Sequence, residues 1–400
     1  INNVNKILVI AIILCFTPLS VHGQDVAKTI QTDSLDIFSV YENLPEVMVV
    51  GERPIVKLEE GKLSYNMPVL LKRIPADNAF DALKNIPGIS VKDESVDFAG
   101  QPLTLIIDGK ANTMSYEQVV ERLKMIPAEQ IEKVEFMLST PARYHVRGAS
   151  LNIITKRHKG NRHISGQLQG GYRQSKYASG ETKGYFLYSN NKLTIDANYS
   201  YTNINAYAEA EHEAHHPLNN EKVAYYDLTT NRNKGHSHQY RAGLDYQFAA
   251  NHALNVAYTG SWTSYKSNNN TTGNSLAKQS SDGHNYLHNV DLYYNLPFGL
   301  QVTAAYTHYE APKDQLLDGK LYETEKNLIA SSRQKINKWM AAADQTHTLQ
   351  NGWRLSYGAK AQFANNNSFQ TTQTANGEVL PEATSGVDID ERIINAYFGF

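Results

Sequence analysis

Cysteine is nearly absent: one occurs in 400 residues, Cys15. It lies in an apolar run from Ile7 to Phe16, preceded by Lys6 and followed by Val21-His22-Gly23. That order is the tripartite pattern of a secretory leader, assigned to residues 1–23, and a run of about ten apolar residues is too short to span a bilayer as a helix. Leu14 stands where a lipid-attachment signal needs a small residue before the cysteine, which disfavours lipidation. The chain after the leader has no thiol, so disulfides and cysteine catalysis are excluded for it. An excess of one charge is also missing, with a formal net charge of −2, and no nucleic-acid partner is indicated. Long hydrophobic runs are lacking beyond the leader and the sequence average is hydrophilic, so a bundle of membrane helices is not favoured. We find no phosphate-cradling glycine loop and no G-x-S-x-G or other pairing of a nucleophile with its base. Nothing nominates an enzyme or a cofactor site.

Tyrosine, by contrast, is plentiful, with 25 residues, most of them after position 140. The two halves of the chain differ in kind. In the first half, "DNAFDALKNIPGI" places Ala79, Phe80, Leu83 and Ile86 on one helical face, with Asp77 as the expected N-cap and Pro87-Gly88 as the stop. Strands "ISV" and "LTLIID" follow, the second closed by the turn dipeptide Asp108-Gly109. A second helix begins at Ser115, whose capping box is completed by Gln118, and turns Val119, Leu123 and Ile126 inward. "IEKVEFML" and "SLNIITK" read as two further strands. The expectation is a small α/β domain of about 110 residues.

After Lys159 the pattern alternates with period two. Leu193, Ile195, Ala197, Tyr199 and Tyr201 form one face of "LTIDANYSY". Ala242, Leu244, Tyr246 and Phe248, and then Leu355, Tyr357, Ala359, Ala361 and Phe363, repeat the choice. The opposite faces carry charge. Tight turns at 190–192, 249–252, 297–299 and 349–353 alternate with long polar stretches near 209–235, 267–283, 311–331 and 367–389, which are expected to be loops. A soluble β-sandwich has no reason to sort connections by side, whereas an outer-membrane barrel has short turns on one side and long loops on the other. The expected fold class is therefore mainly β: a transmembrane antiparallel β-barrel with an N-terminal α/β domain. About ten strands are counted. Around twenty-two are needed before a lumen admits a folded domain, so the ten are expected to be the N-terminal part of a larger barrel.

The order of parts resembles TonB-dependent outer-membrane receptors, particularly those of Bacteroidetes-type bacteria. "LPEVMVVGERP" resembles the TonB box, "NAFDALKNIPGISV", "LTLIIDGK" and "IPAEQIEKVEFMLSTPARYHVRGASLNIITK" resemble successive plug motifs, and "DERIINAYFGF" resembles a segment within the barrel. The resemblance implies a division into leader (1–23), flexible periplasmic segment (24–43), TonB-box-like segment (44–54), plug (55–158) and the first part of a barrel (159–400), continuing past Phe400. It implies handover from plug to barrel around Arg147, Gly148 and Asn152. It implies the bacterial outer membrane as location, and as partners TonB, outer-membrane lipids, a small nutrient (siderophore, cobalamin, oligosaccharide or peptide) and, in some members, a surface lipoprotein. The competing class is a barrel adhesin or signalling receptor that binds without importing.

The box has a physical logic of its own. An outer membrane has no nucleotide pool, so energy must arrive through another protein, and an exposed extended segment recruits one by strand addition. Pro45 and Pro54 lack amide donors and confine pairing to the residues between them. The partner-binding residues are thus expected to be Glu46, Val47, Met48, Val49, Val50 and Gly51. The bland alternative is an ordinary edge strand of the plug. In "EHEAHHPLNN", His212, His215 and His216 with nearby carboxylates are candidate metal ligands on an expected external loop. Their spacing misses H-E-x-x-H, and a plain polar loop accounts for them equally.

Overall fold

The computed structural model describes residues 54–59, 61–92, 95–110, 114–156, 160, 162–218, 221–321, 324–349 and 353–400. The box residues 46–51 and the leader lie outside them. Two structures are built from this chain, an α/β domain and a ten-stranded wall.

In the α/β domain, β1 (Val56–Glu59), β2 (Lys62–Asn66), β6 (Thr104–Ile107), β7 (Ile131–Met137) and β8 (Ser150–Thr155) form a sheet in the order β1-β2-β7-β8-β6. β3 (Ile89–Lys92), β4 (Ser95–Phe98) and β5 (Gln101–Pro102) form a small second sheet. The helices are α1 (Met67–Arg73), α2 (Ala79–Leu83) and α3 (Tyr116–Met125). Helix α1 is started by Asn66, whose side chain accepts from the Val69 amide, with Pro68 in the first turn, where its missing N–H costs nothing. The expected cap of α2 is displaced by one residue. Asn78, not Asp77, is the N-cap, because its Oδ1 accepts from the Asp81 amide at 2.9 Å. The Ser115 capping box of α3 is present as expected. Ala79, Phe80, Leu83, Ile86, Val119, Leu123 and Ile126 all enter one apolar core with Val134, Leu151 and Ile153.

The wall is β9 (His163–Gln174), β10 (Ala178–Ser189), β11 (Leu193–Leu218), β12 (Glu221–Ala249), β13 (His252–Gly273), β14 (Leu276–Asn295), β15 (Leu300–Leu321), β16 (Thr324–Thr348), β17 (Arg354–Thr374) and β18 (Ser385–Gly399). Every strand pairs antiparallel with its chain neighbour, and β9 and β18 are the edges. The short turns fall where expected. Three of the long polar stretches do not form loops: Glu209 pairs with Thr230 and Leu218 with Glu221, so 209–235 is a hairpin extension, and 267–283 and 311–331 continue as paired strands in the same way; in the fourth, 367–389, the ends are strand and residues 375–384 connect β17 to β18 through a short turn at Pro381–Ala383. Asn- and Thr-rich composition concealed them, since those residues read as loop while their side chains pair across the strands, as between Thr229 and Thr271 at 2.9 Å.

Register fixes the faces. Cross-strand partners share a face, and Asn198, Gln239, Asn255, Asp344 and Tyr397 reach the α/β domain or its immediate contacts. The alternate residues therefore point away from it. That outer face exposes Ile195, Tyr199, Leu244, Phe248, Val290, Trp339, Tyr357, Phe363 and Ile394. The inner face buries Asn198, Ser200, Thr259, Asn289, Asp291, Thr303 and Thr307. The apolar sets expected on β11, β12 and β17 are the outward ones. Two aromatic rows bound the outer face. Near the short turns, the Tyr246 and Phe248 rings lie 4.8 Å apart and the Trp353 and Phe400 rings 6.0 Å apart. Higher up, the Tyr201 ring is 5.1 Å from His238, His238 stacks on Trp262 at 5.3 Å, and Tyr306 lies 4.1 Å from Trp339. Along β12, the stretch from Phe248 up to His238 rises about 33 Å at about 3.3 Å per residue. At a tilt of about 40° that is about 25 Å of height, the same as the height typical of the apolar band of outer-membrane barrels.

Candidate functional site between the α/β domain and the wall

The α/β domain touches the wall from β9 to β18, so the wall curves around it. The contacts are polar. Gln130 Nε2 donates to Ser165 Oγ at 3.4 Å, Asn198 Nδ2 to the Met125 carbonyl at 3.4 Å, and Gln239 Nε2 to Glu121 Oε2 at 2.6 Å. Lys110 Nζ donates to Asn255 Oδ1 at 2.7 Å and sits 4.6 Å from the centre of the Tyr293 ring. At the far side, His145 Nε2 lies 2.9 Å from the Asp344 carboxylate, which also accepts from the Tyr397 hydroxyl at 2.9 Å. A net value of about 1 kcal/mol per hydrogen bond makes this adhesion weak compared with a packed apolar core. Such an interface holds the domain in one place and can be parted.

Local structure aims these groups. Lys110 leaves the turn after β6, where Asp108 has φ 53° and Gly109 has φ 73°. The Asp108 carboxylate accepts from the Thr155 amide at 2.8 Å and from its hydroxyl at 2.9 Å, while the Gly109 amide donates to Asn152 Oδ1 at 2.8 Å. Asn152 Nδ2 in turn donates to Glu135 Oε2 at 3.2 Å, and Glu135 also pairs with Lys62 at 3.2 Å and Lys133 at 2.8 Å. Burial pushes the Glu135 carboxyl up, but the bonds from Lys133 and Asn152 and the charge of Lys62 outweigh it and hold the group below its ordinary range. Burial likewise pulls the Lys110 ammonium down to about 8, against the attraction of Asp108 and Asp245. His145 ends a short turn, Ala142–Tyr144, in the left-handed region with φ 53°.

Of the handover residues, Asn152 is buried and central to this network. Gly148 has φ 79°, a conformation glycine takes at no cost, and its carbonyl accepts from the Thr140 amide at 3.0 Å. Arg147 is exposed and makes none of the contacts described here. The histidines are not on a loop. They lie on β11, where His212 and His215, three apart, fall on opposite faces of the strand. His215 Nε2 is 3.4 Å from Glu213 and the His212 ring is edge-on to Tyr225 at 5.8 Å. The side chain of His216 lies outside the described residues, among which no group of three His, Cys, Asp or Glu is placed to hold a metal. Lys110, Glu121 and His145 escaped the sequence reading. The Asp-Gly dipeptide before Lys110 is the one signal that bears on them, and it specifies a turn without saying what the turn faces.

No family model matches the chain, and no curated protein matches it in sequence. Among solved structures, the chain is similar to the ferric citrate transporter FecA in the unliganded form, with 12% identity and a TM-score of 0.42, covering 84% of this chain and 60% of that one. It is similar to the ferric yersiniabactin uptake receptor FyuA from Yersinia pestis, with 9% identity and a TM-score of 0.38, covering 86% and 61%. The siderophore receptor PiuA from Acinetobacter baumannii gives 11% identity and a TM-score of 0.38, covering 86% and 62%. The chain thus spans about three fifths of the length of these proteins.

Proposed function

We propose that the chain is the plug and part of the barrel of a TonB-dependent receptor in a bacterial outer membrane, importing a small nutrient. The observation that carries this reading is the inside-out wall wrapped around a folded domain: apolar and aromatic side chains outward between two girdles, polar side chains inward. In water such a face would be a large exposed apolar patch; in a bilayer it meets lipid. The domain it surrounds blocks the lumen and is held by hydrogen bonds and one histidine–carboxylate contact instead of an apolar core, as suits a stopper that must move. Motion needs a handle, and Glu46–Gly51 are proposed as the stretch to which TonB adds a strand. Residues 1–23 are the proposed leader, 24–43 the tether, and Arg147–Asn152 the approach to the barrel. The reading makes the chain a receptor and not an enzyme.

Binding of the full receptor to the periplasmic domain of TonB, with and without Val49→Pro, tests it. The substitution removes a ladder donor in mid-segment. We expect micromolar-type binding, as five or six main-chain bonds would give after association costs, and its loss in the variant with the barrel still folded. Binding that is absent, or indifferent to the substitution, would leave a receptor or adhesin without import.

A further inference from the structure

A cavity of about 810 Å³ opens between the α/β domain and the short-turn ends of β10 to β13. Its size falls in the range of small-molecule sites, and its walls carry charge. Lys110, Arg122, Lys156, Lys192 and Arg241 line it on the cationic side, Asp108, Asp196 and Asp245 on the acidic side. Two of the three acids are already engaged. Asp196 is bound by Arg241, and Asp108 accepts from the Thr155 amide and hydroxyl. Arg122, projecting from α3, has a buried Nε with no hydrogen-bond partner among the described residues. A guanidinium donor left without an acceptor is costly unless something supplies one. Lys110 lines this cavity and two adjoining ones, of about 440 and 320 Å³, so one ammonium stands where three spaces meet. Burial depresses its pKa, and the charges of Arg122 and Arg241 nearby add to the shift.

We propose that this cavity is a binding site for a small anionic solute bearing carboxylate or phosphate oxygens, with Arg122 and Lys110 from the domain and Lys192 from the wall as its cationic ligands. Guanidinium groups suit such oxygens because their fork of donors matches them in pairs. The ligand would bridge the two parts of the molecule that the proposed import reaction must separate, so occupancy would strengthen the very interface that has to part.

The site does not depend on energy coupling, and its test uses no TonB. Purified full receptor in detergent is titrated by calorimetry at about 0.1 M salt, an ionic strength that screens exposed charges more than about 10 Å apart, with tricarballylate, with inorganic pyrophosphate, and with the neutral trimethyl ester of the former. We expect saturable binding of at least one anion and none of the ester. Arg122→Gln should weaken binding at least tenfold, Arg122→Lys should restore part of it, and Lys335→Gln, an exposed lysine on the outer face, should leave it unchanged. Retention of the heat-modifiable folded band shows that each variant is intact. Failure of both anions to bind, or equal effects of Arg122→Gln and Lys335→Gln, would overturn the proposal while leaving the TonB measurement untouched.

Discussion

The α/β domain and the wall belong to one chain and obey opposite rules of burial. In the domain, Leu83, Val120 and Leu123 are fully buried while its lysines and glutamates face outward or into a paired network. In the wall, Asn289 is fully buried while Phe363 and Ile394 are exposed. Both are ordinary consequences of apolar groups leaving water. On the proposed reading the difference is where the water is, outside for the domain and inside for the wall, and a hydrophobic pattern identifies a face without saying which way the face looks.

The comparison can be broken most severely in the domain. Leu123→Asp buries an unpaired carboxylate in the core and should cost upwards of about 4 kcal/mol. We expect rapid proteolytic nicking of residues 55–156 while the wall keeps its heat-modifiable band. On the wall, Leu244→Arg puts a charge on the outer face of β12 between Phe248 and His238 of the two girdles, and should cost about 2–4 kcal/mol of folding into bilayers, read from urea titrations in liposomes. The same substitution in a soluble sheet would be mild, so this one sharpens the contrast. A smaller loss is expected for Asn152→Ala, about 1–3 kcal/mol, because the Gly109 amide and the Glu135 carboxylate lose a buried partner; loosened hydrogen-exchange protection around 108–110 would report it.

The smallest effect is one of pH. The Glu135 carboxyl is held below its ordinary value in the folded domain, so its contribution to stability is complete above the unfolded carboxylate pKa of about 4.3 and is lost as pH falls through the folded value. Melting of the domain between pH 5 and pH 3 should therefore fall less steeply in Glu135→Gln than in the parent. An unchanged slope would mean that Lys62 and Lys133 do not favour the charged form.

Much of this fold was legible, and the failures share a cause. Ala79, Phe80 and Leu83, or Val119 and Leu123, announce their helices because one water-facing side forces a 3.6 period. The Ser115–Gln118 box announces itself because capping is local. The cap falls on Asn78 and not on Asp77, although both residue types cap well, since one-residue phasing depends on where the chain enters the core. The extensions of β11 to β17 were missed because above the girdles both faces meet water, and a strand wet on both sides has no alternation to read. The interface groups Lys110, Glu121 and His145 were missed for a different reason: each meets a partner far along the chain, Asn255, Gln239 and Asp344, and no local pattern encodes a contact over such a separation.

By itself, the sequence determined the leader-like pattern, the two-part organisation, the helices and their inward faces, the wall strands between the girdles and the sorting of short turns to one side. These follow from residue periodicity and local capping, which act over a few residues. Only the tertiary structure decided that the wall wraps the domain, which wall face meets it, how far the hairpins extend, and that Lys110, Arg122 and Arg241 converge on one cavity. Those outcomes depend on antiparallel register summed over ten strands and on the competition between water, lipid and protein for each surface, neither of which any short stretch of residues contains.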